Sequence, residues 1–194
     1  MTNLYYVSVG YKQRGVTMIE VLVTIVIVVI GLLGLAGLQA RIQTAEIESY
    51  QRVQAIVLMQ DMVDRLRSNR NEATSYVTTV GTGSTVASAT IGFQRDLYEW
   101  HNTLLGASET DGSAKLGAMI DARGCVTAVT GKPFEFDVAV AWQGLTPTSV
   151  PTVSTCGAGQ YGSNDANRRV INTRVVFACL LSAADGTTCV ATGP

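Results

Sequence analysis

Apolar residues run almost unbroken from Val16 to Leu38, and from Val21 to Ala40 there are 20 consecutive residues without a charge. As a helix rising about 1.5 Å per residue, such a run spans a bilayer core of roughly 30 Å. One acid, Glu20, stands at its head. A carboxylate in lipid costs on the order of a few kcal/mol, so an acid placed there has a partner or a task. From Arg41 the pattern turns amphipathic. Ile56, Met59, Val63 and Leu66 repeat at helical spacing, and Ile42, Ala45 and Val53 extend the stripe, which predicts a core-facing surface. Arg52, Asp61, Asp64, Arg65 and Arg67 occupy the other faces, with Asp61 and Arg65 in the favourable i, i+4 order. No proline interrupts residues 16–70, so the pattern predicts one helix of roughly 80 Å, ended by the polar stretch from Ser68.

Beyond that helix the periods shorten. Residues 74–92 are rich in Thr, Ser and Gly and predict a loop with room for a short strand. Phe93, Leu97, Trp100, Leu104 and Leu105 predict a second, short amphipathic helix; His101 beside Trp100 reads as a surface or capping residue. Gly106 to Gly117 is a loop. Three strands are then expected: Gly124–Val129, the alternating Phe134–Trp142, and Val170–Leu181. In the second, Phe134, Phe136, Val138, Val140 and Trp142 share one face, and Glu135, Asp137, Ala139 and Ala141 share the other, the signature of a half-buried antiparallel strand. If the last two strands pair antiparallel, Arg174 stands opposite Asp137 on the exposed face. Between them runs a long excursion, Gln143 to Arg169. Its Asn164, Asp165 and Asn167 lack the spacing of a calcium loop and read as an ordinary turn.

Composition narrows the function. The net charge is −1 and there is no long basic run, so no nucleic acid is expected as a partner. Four cysteines, Cys125, Cys156, Cys179 and Cys189, all lie outside the apolar run, with one histidine in the chain and no Cys-x-x-Cys. That argues against a zinc site and for two disulfides in an oxidising compartment, and three pairings are open. Cys125–Cys156 with Cys179–Cys189 is preferred, since the second pair closes a short C-terminal loop. No nucleophile motif, phosphate-binding glycine loop or paired catalytic carboxylates emerge, so no enzyme, cofactor or metal is expected.

The residues R-G-V-T-M-I-E-V-L-V, Arg14 to Val23, resemble the class III signal of type IV pilins and the related pseudopilins. The resemblance implies peptidase cleavage between Gly15 and Val16, N-methylation of Val16, and a role for Glu20, the fifth residue after the cut, in pairing with a terminal amine during assembly. Val16 departs from the usual phenylalanine. The continuation Gly31 to Gln39, the Asp96–Trp100 spacing, Ala141 to Gly144 and the Arg168–Arg169 pair resemble PilV-type minor pilins. Gly31, Gly34 and Gly37 fit close helix packing in lipid and a helix able to loosen on entering a filament.

These readings divide the chain into a leader (1–15), a transmembrane or filament-core half-helix (16–40), an amphipathic half-helix (41–70) and a globular head (71–194). The expected fold is α+β and pilin-like: a long N-terminal helix packed on an antiparallel sheet, with a short second helix. Lys12 and Arg14 before the apolar run place the N-terminus in the cytoplasm and the head in the periplasm, as a single pass of the inner membrane. The resemblance implies a minor pilin that primes pilus assembly and sits at or near the tip of a cell-surface pilus. Its implied partners are other minor pilins, a tip adhesin, the major pilin and the prepilin peptidase. Two alternatives remain: a minor pseudopilin of a type II secretion system, and a membrane-anchored periplasmic binding or enzymatic domain that never polymerises.

Overall fold

The computed structural model describes residues 15–106, 110–111, 114–115, 119–162 and 164–178. Helix α1 runs from Met18 to Ser68 without a break. A 3-10 stretch, Arg70–Tyr76, leads to strand β1, Thr78–Gly81. Helix α2, Gly92–Leu104, is followed by two two-residue strands, β2 (Thr110–Asp111) and β3 (Ala114–Lys115), inside the segment expected to be a loop. Strands β4 (Ile120–Val129), β5 (Lys132–Gln143) and β6 (Arg168–Val176) complete the order. The chain divides into two compact units between Gln43 and Thr44, within α1.

In the first unit every described residue is exposed, including the apolar run. Valine and isoleucine are indifferent helix formers in water because their χ1 angles are restricted. In lipid the backbone has no water to bond with, and a helix satisfies it internally whatever the side chains prefer. Gly31, Gly34 and Gly37 do not interrupt α1, and a Cβ added at any of them would meet nothing within 4 Å among the described residues.

In the second unit, β1, β4, β5 and β6 form one antiparallel sheet in the order β1-β4-β5-β6. One face carries Val126, Phe136, Val138, Val140, Trp142 and Val175, and it packs against α2 and the end of α1 in the main core. Trp100 of α2 is fully buried and donates its Nε1–H to the Leu58 carbonyl of α1 at 2.9 Å. Its ring occupies the room that Gly124 leaves: a Cβ there would stand 2.3 Å from the indole. Arg65 ties the two helices together, bonding Asp61 on α1 and Asp96 and Glu99 on α2 at 2.8–3.0 Å.

Several expectations shift. The buried stripe of α1 is Gln51, Ala55, Met59, Met62, Val63 and Leu66. Met59, Val63 and Leu66 face inward as expected, but Ile42, Ala45, Val53 and Ile56 are exposed. The helix has two apolar faces, and spacing alone does not say which one meets the sheet. Strand β4 begins four residues earlier than expected, and β6 covers Arg168–Val176, with the part of the expected strand from residue 179 lying outside the described residues. Strand β5 is not half-buried throughout. Ala139 and Ala141 are covered by Cys125, Cys156, Tyr161 and Val170 in a second core on the far face. Alternation still holds at Glu135 and Asp137, which Arg174 engages from β6. His101 is buried, not at the surface: its Nδ1 accepts the Gly81 N–H at 3.1 Å, joining α2 to β1.

Candidate functional site

Gly15 and Val16 precede the first turn of α1 and are exposed. Helical hydrogen bonding opens with the Glu20 and Val21 N–H groups on the Thr17 carbonyl, at 3.1 and 3.3 Å. Glu20 thus sits in the first turn, where the positive end of the helix dipole favours a carboxylate. It stands four residues, about one turn, after Val16. From Val16 to Leu38 the large apolar side chains are exposed, and the helix is long and apolar enough to cross a membrane. Such a surface in a soluble monomer would be a liability.

The helix remains apolar on its outer face within the second unit. Glu46, Tyr50, Val53 and Val57 recur at spacings of four, three and four residues and are all exposed, which places them on one seam. Around the helix from that seam, Glu48 reaches into the segment after β5. Its Oε1 accepts from the Leu145 and Thr146 N–H groups, the Thr146 hydroxyl and Arg169 Nη2 at 3.0–3.3 Å. Burial raises its pKa, but the Thr146 hydrogen bonds, the Arg169 charge and the Leu145 bond outweigh it and hold the carboxyl below its ordinary range. Arg169 also donates to the Thr146 carbonyl and the Thr148 hydroxyl. Gly144 leaves the space its guanidinium occupies.

Beside this clasp lies an open groove of about 400 Å³, lined by Glu48, Arg52, Trp142, Arg169 and Ile171 among others.

Arg168 turns the opposite way. It is buried and donates to the carbonyls of Pro151, Ser154 and Cys156 at 2.8–3.0 Å, with Asp165 at 3.4 Å. The Arg-Arg pair therefore holds both ends of the excursion, one residue on each face of the sheet. A disulfide joins Cys125 of β4 to Cys156 of the excursion, with Cα atoms 5.8 Å apart. Cys179 and Cys189 lie outside the described residues. Tyr161 packs against the same disulfide in the second core and donates to the Asp121 carbonyl at 2.8 Å; burial pushes its phenol up to about 12. Asp165 is occupied in a turn, accepting the Gly159 and Tyr161 N–H groups. Among the described residues no three His, Cys, Asp or Glu side chains converge as metal ligands.

Sequence reasoning missed Glu48, Arg168 and Tyr161 as organisers of the excursion. The available signal was the unbroken Arg-Arg pair at the start of an alternating strand, where one side chain must face each way.

The model of the prokaryotic N-terminal methylation motif matches residues 10–36, and the model of type IV pilin Tt1218 matches residues 37–94. No curated protein and no solved structure matches the chain. Two adjoining pilin-type matches, a methylation motif laid over an exposed apolar helix, and an α+β head whose sheet packs on the end of that helix together support a type IV pilin.

Proposed function

We propose that this chain is a minor pilin, cut between Gly15 and Val16, methylated at Val16, and incorporated at or near the tip of a type IV pilus as part of a priming complex. It works by assembly and not by catalysis. The observation that carries this reading is Glu20 in the first turn of a helix whose apolar run, Val16 to Leu38, is exposed among the described residues. Cleavage would free an ammonium at Val16, one turn away. In lipid each charge alone is costly, and the two attract far more strongly than in water. A neighbour's Glu20 meeting an amine already in the filament then supplies register as well as energy. The PilV-type features of Gly31 to Gln39 favour a pilus subunit over a secretion pseudopilin.

The test begins with the mass of the mature N-terminus in the native host. An N-methylated Val16 is expected; a chain still starting at Met1 would remove the assembly reading. Glu20→Ala is expected to leave cleavage largely intact and to abolish incorporation into pili. Normal incorporation of that variant would overturn the charge-pairing role.

A further inference from the structure

The two edges of the sheet are finished differently. Strand β1 is four residues long, and His101 of α2 accepts its Gly81 N–H. Strand β6 is nine residues long, carries no proline, and pairs with β5 in continuous register from Arg168 to Val176. The Phe177 N–H on the Phe134 carbonyl and the Gly144 N–H on the Asn167 carbonyl, at 2.9 and 2.8 Å, set the alternation. The odd-numbered residues of β6 bond β5, so Val170, Asn172, Arg174 and Val176 turn their N–H and C=O groups the other way. Those groups make no hydrogen bond among the described residues. Arg174 could shield such an edge, but it is drawn back onto Asp137 and Glu135.

The groove of about 400 Å³ lies beside the start of this edge, between α1 at Ala45, Ser49 and Arg52 and the sheet at Trp142, Val170 and Ile171. A strand added to β6 turns alternate side chains to the face that α1 covers. Arg52 is exposed in the groove and has no hydrogen-bond or ion-pair partner among the described residues. Arg169 adds a second guanidinium, and Glu48, the one acid in the lining, is engaged by it. We propose that β6 takes an added strand from another protein: an extended segment whose backbone bonds the free edge, and whose carboxylate, set between apolar side chains, pairs with Arg52. Backbone pairing supplies affinity, and the groove selects the segment. A second copy of this chain is a poor donor. Neither edge strand carries an acid, and β6 would bring arginines to a cationic groove. The chain's own residues 179–194, which include Asp185, are the competing occupant. The contact concerns the head alone and does not depend on cleavage at Gly15.

The experiment uses the full-length chain in detergent micelles and a blocked, fluorescein-labelled peptide, Thr-Val-Thr-Glu-Thr-Val-Thr, with binding followed by fluorescence anisotropy. Saturable binding is expected. Amide exchange at Val170, Asn172 and Arg174 is expected to slow when the peptide is added, while Ile171 and Thr173, already bonded to β5, stay as they were. Arg52→Glu is expected to weaken binding about tenfold. A peptide with lysine in place of its glutamate is expected to bind that variant better than it binds the wild type. Asn172→Pro removes an N–H that β5 does not use, a position where an edge strand accepts proline, and it is expected to abolish binding. Retained protection at Ile171 and Thr173 confirms that this variant folds, and the charge swap tests the site independently of it. Absence of saturable binding, binding indifferent to the charge swap, or full binding by a folded Asn172→Pro chain would each overturn the proposal. So would slow exchange at Val170, Asn172 and Arg174 before peptide is added, since residues 179–194 would then hold the edge.

Discussion

Glu48 Oε1 and Arg169 Nη2 lie 3.3 Å apart, and the same oxygen also gathers two backbone N–H groups and a hydroxyl from Leu145 and Thr146. One carboxylate on α1 thus secures the point where the chain leaves β5 and the point where it returns in β6. Glu48→Gln keeps the size but removes the charge that four donors converge on. It is expected to destabilise the head by about 1 kcal/mol near neutral pH. Because the folded pKa of Glu48 is depressed, its contribution is complete above the ordinary carboxylate pKa of 4.5 and drains away as pH falls through the lower folded value. Thermal unfolding of wild type and variant across acidic pH checks this: the gap between them is expected to narrow on acidification. A gap that widened in acid would contradict it.

Gly124 and Trp100 meet with no room between them. Gly124→Ala would bring a methyl group within 2.3 Å of the indole and force Trp100 off the sheet. The expected cost is about 1–3 kcal/mol, with loss of the Trp100–Leu58 hydrogen bond adding to it. Denaturant unfolding measures the loss, and a red shift of tryptophan emission would report the displaced ring.

The Cys125–Cys156 bond closes a loop with a sequence separation of 31. By loop-closure entropy it stabilises the head by about 3–4 kcal/mol. Replacing both cysteines with alanine is expected to lower the urea midpoint accordingly. It should also open the second core, exposing Tyr161 and Ala141. Hydrogen exchange at β5 would then rise on alternate residues facing that core; protection unchanged from wild type would show that the excursion is held by other contacts.

Those other contacts centre on Arg168. Arg168→Met fills the space but leaves the carbonyls of Pro151, Ser154 and Cys156 without their donor. Leaving buried acceptors unsatisfied costs about 1–3 kcal/mol. Limited proteolysis is expected to find new cleavage within residues 144–167 while β4 and β5 stay protected. Arg168→Lys is expected to recover only part of the loss, since one ammonium cannot match the planar fork.

The antiparallel pairing was legible where chemistry stood on an alternating pattern. Asp137 and Arg174 are register partners joined by bonds of 2.8 and 3.0 Å, as the two strand patterns had suggested. The existence of α2 was legible from its leucines and Trp100, and the end of α1 from the polar run at Ser68. Burial of Ala139 and Ala141 was not, because alanine suits either a solvated or a covered face, and the cover comes from a loop with no period of its own.

What the sequence by itself determined was local: a continuous helix from an uninterrupted apolar run, strands from alternation, and the motif from Arg14 to Val23. Those follow from periodicity and from short-range backbone chemistry. Only the tertiary structure decided which face of α1 meets the sheet, because Val53 and Ile56 are as apolar as Met59 and Met62. The choice fell to shape: Ala55, Met59 and Met62 fit beneath Trp100 and the sheet, and Val53 and Ile56 face outward. Burial of His101 and the splitting of Arg168 from Arg169 were settled the same way, by contacts between residues far apart in the chain.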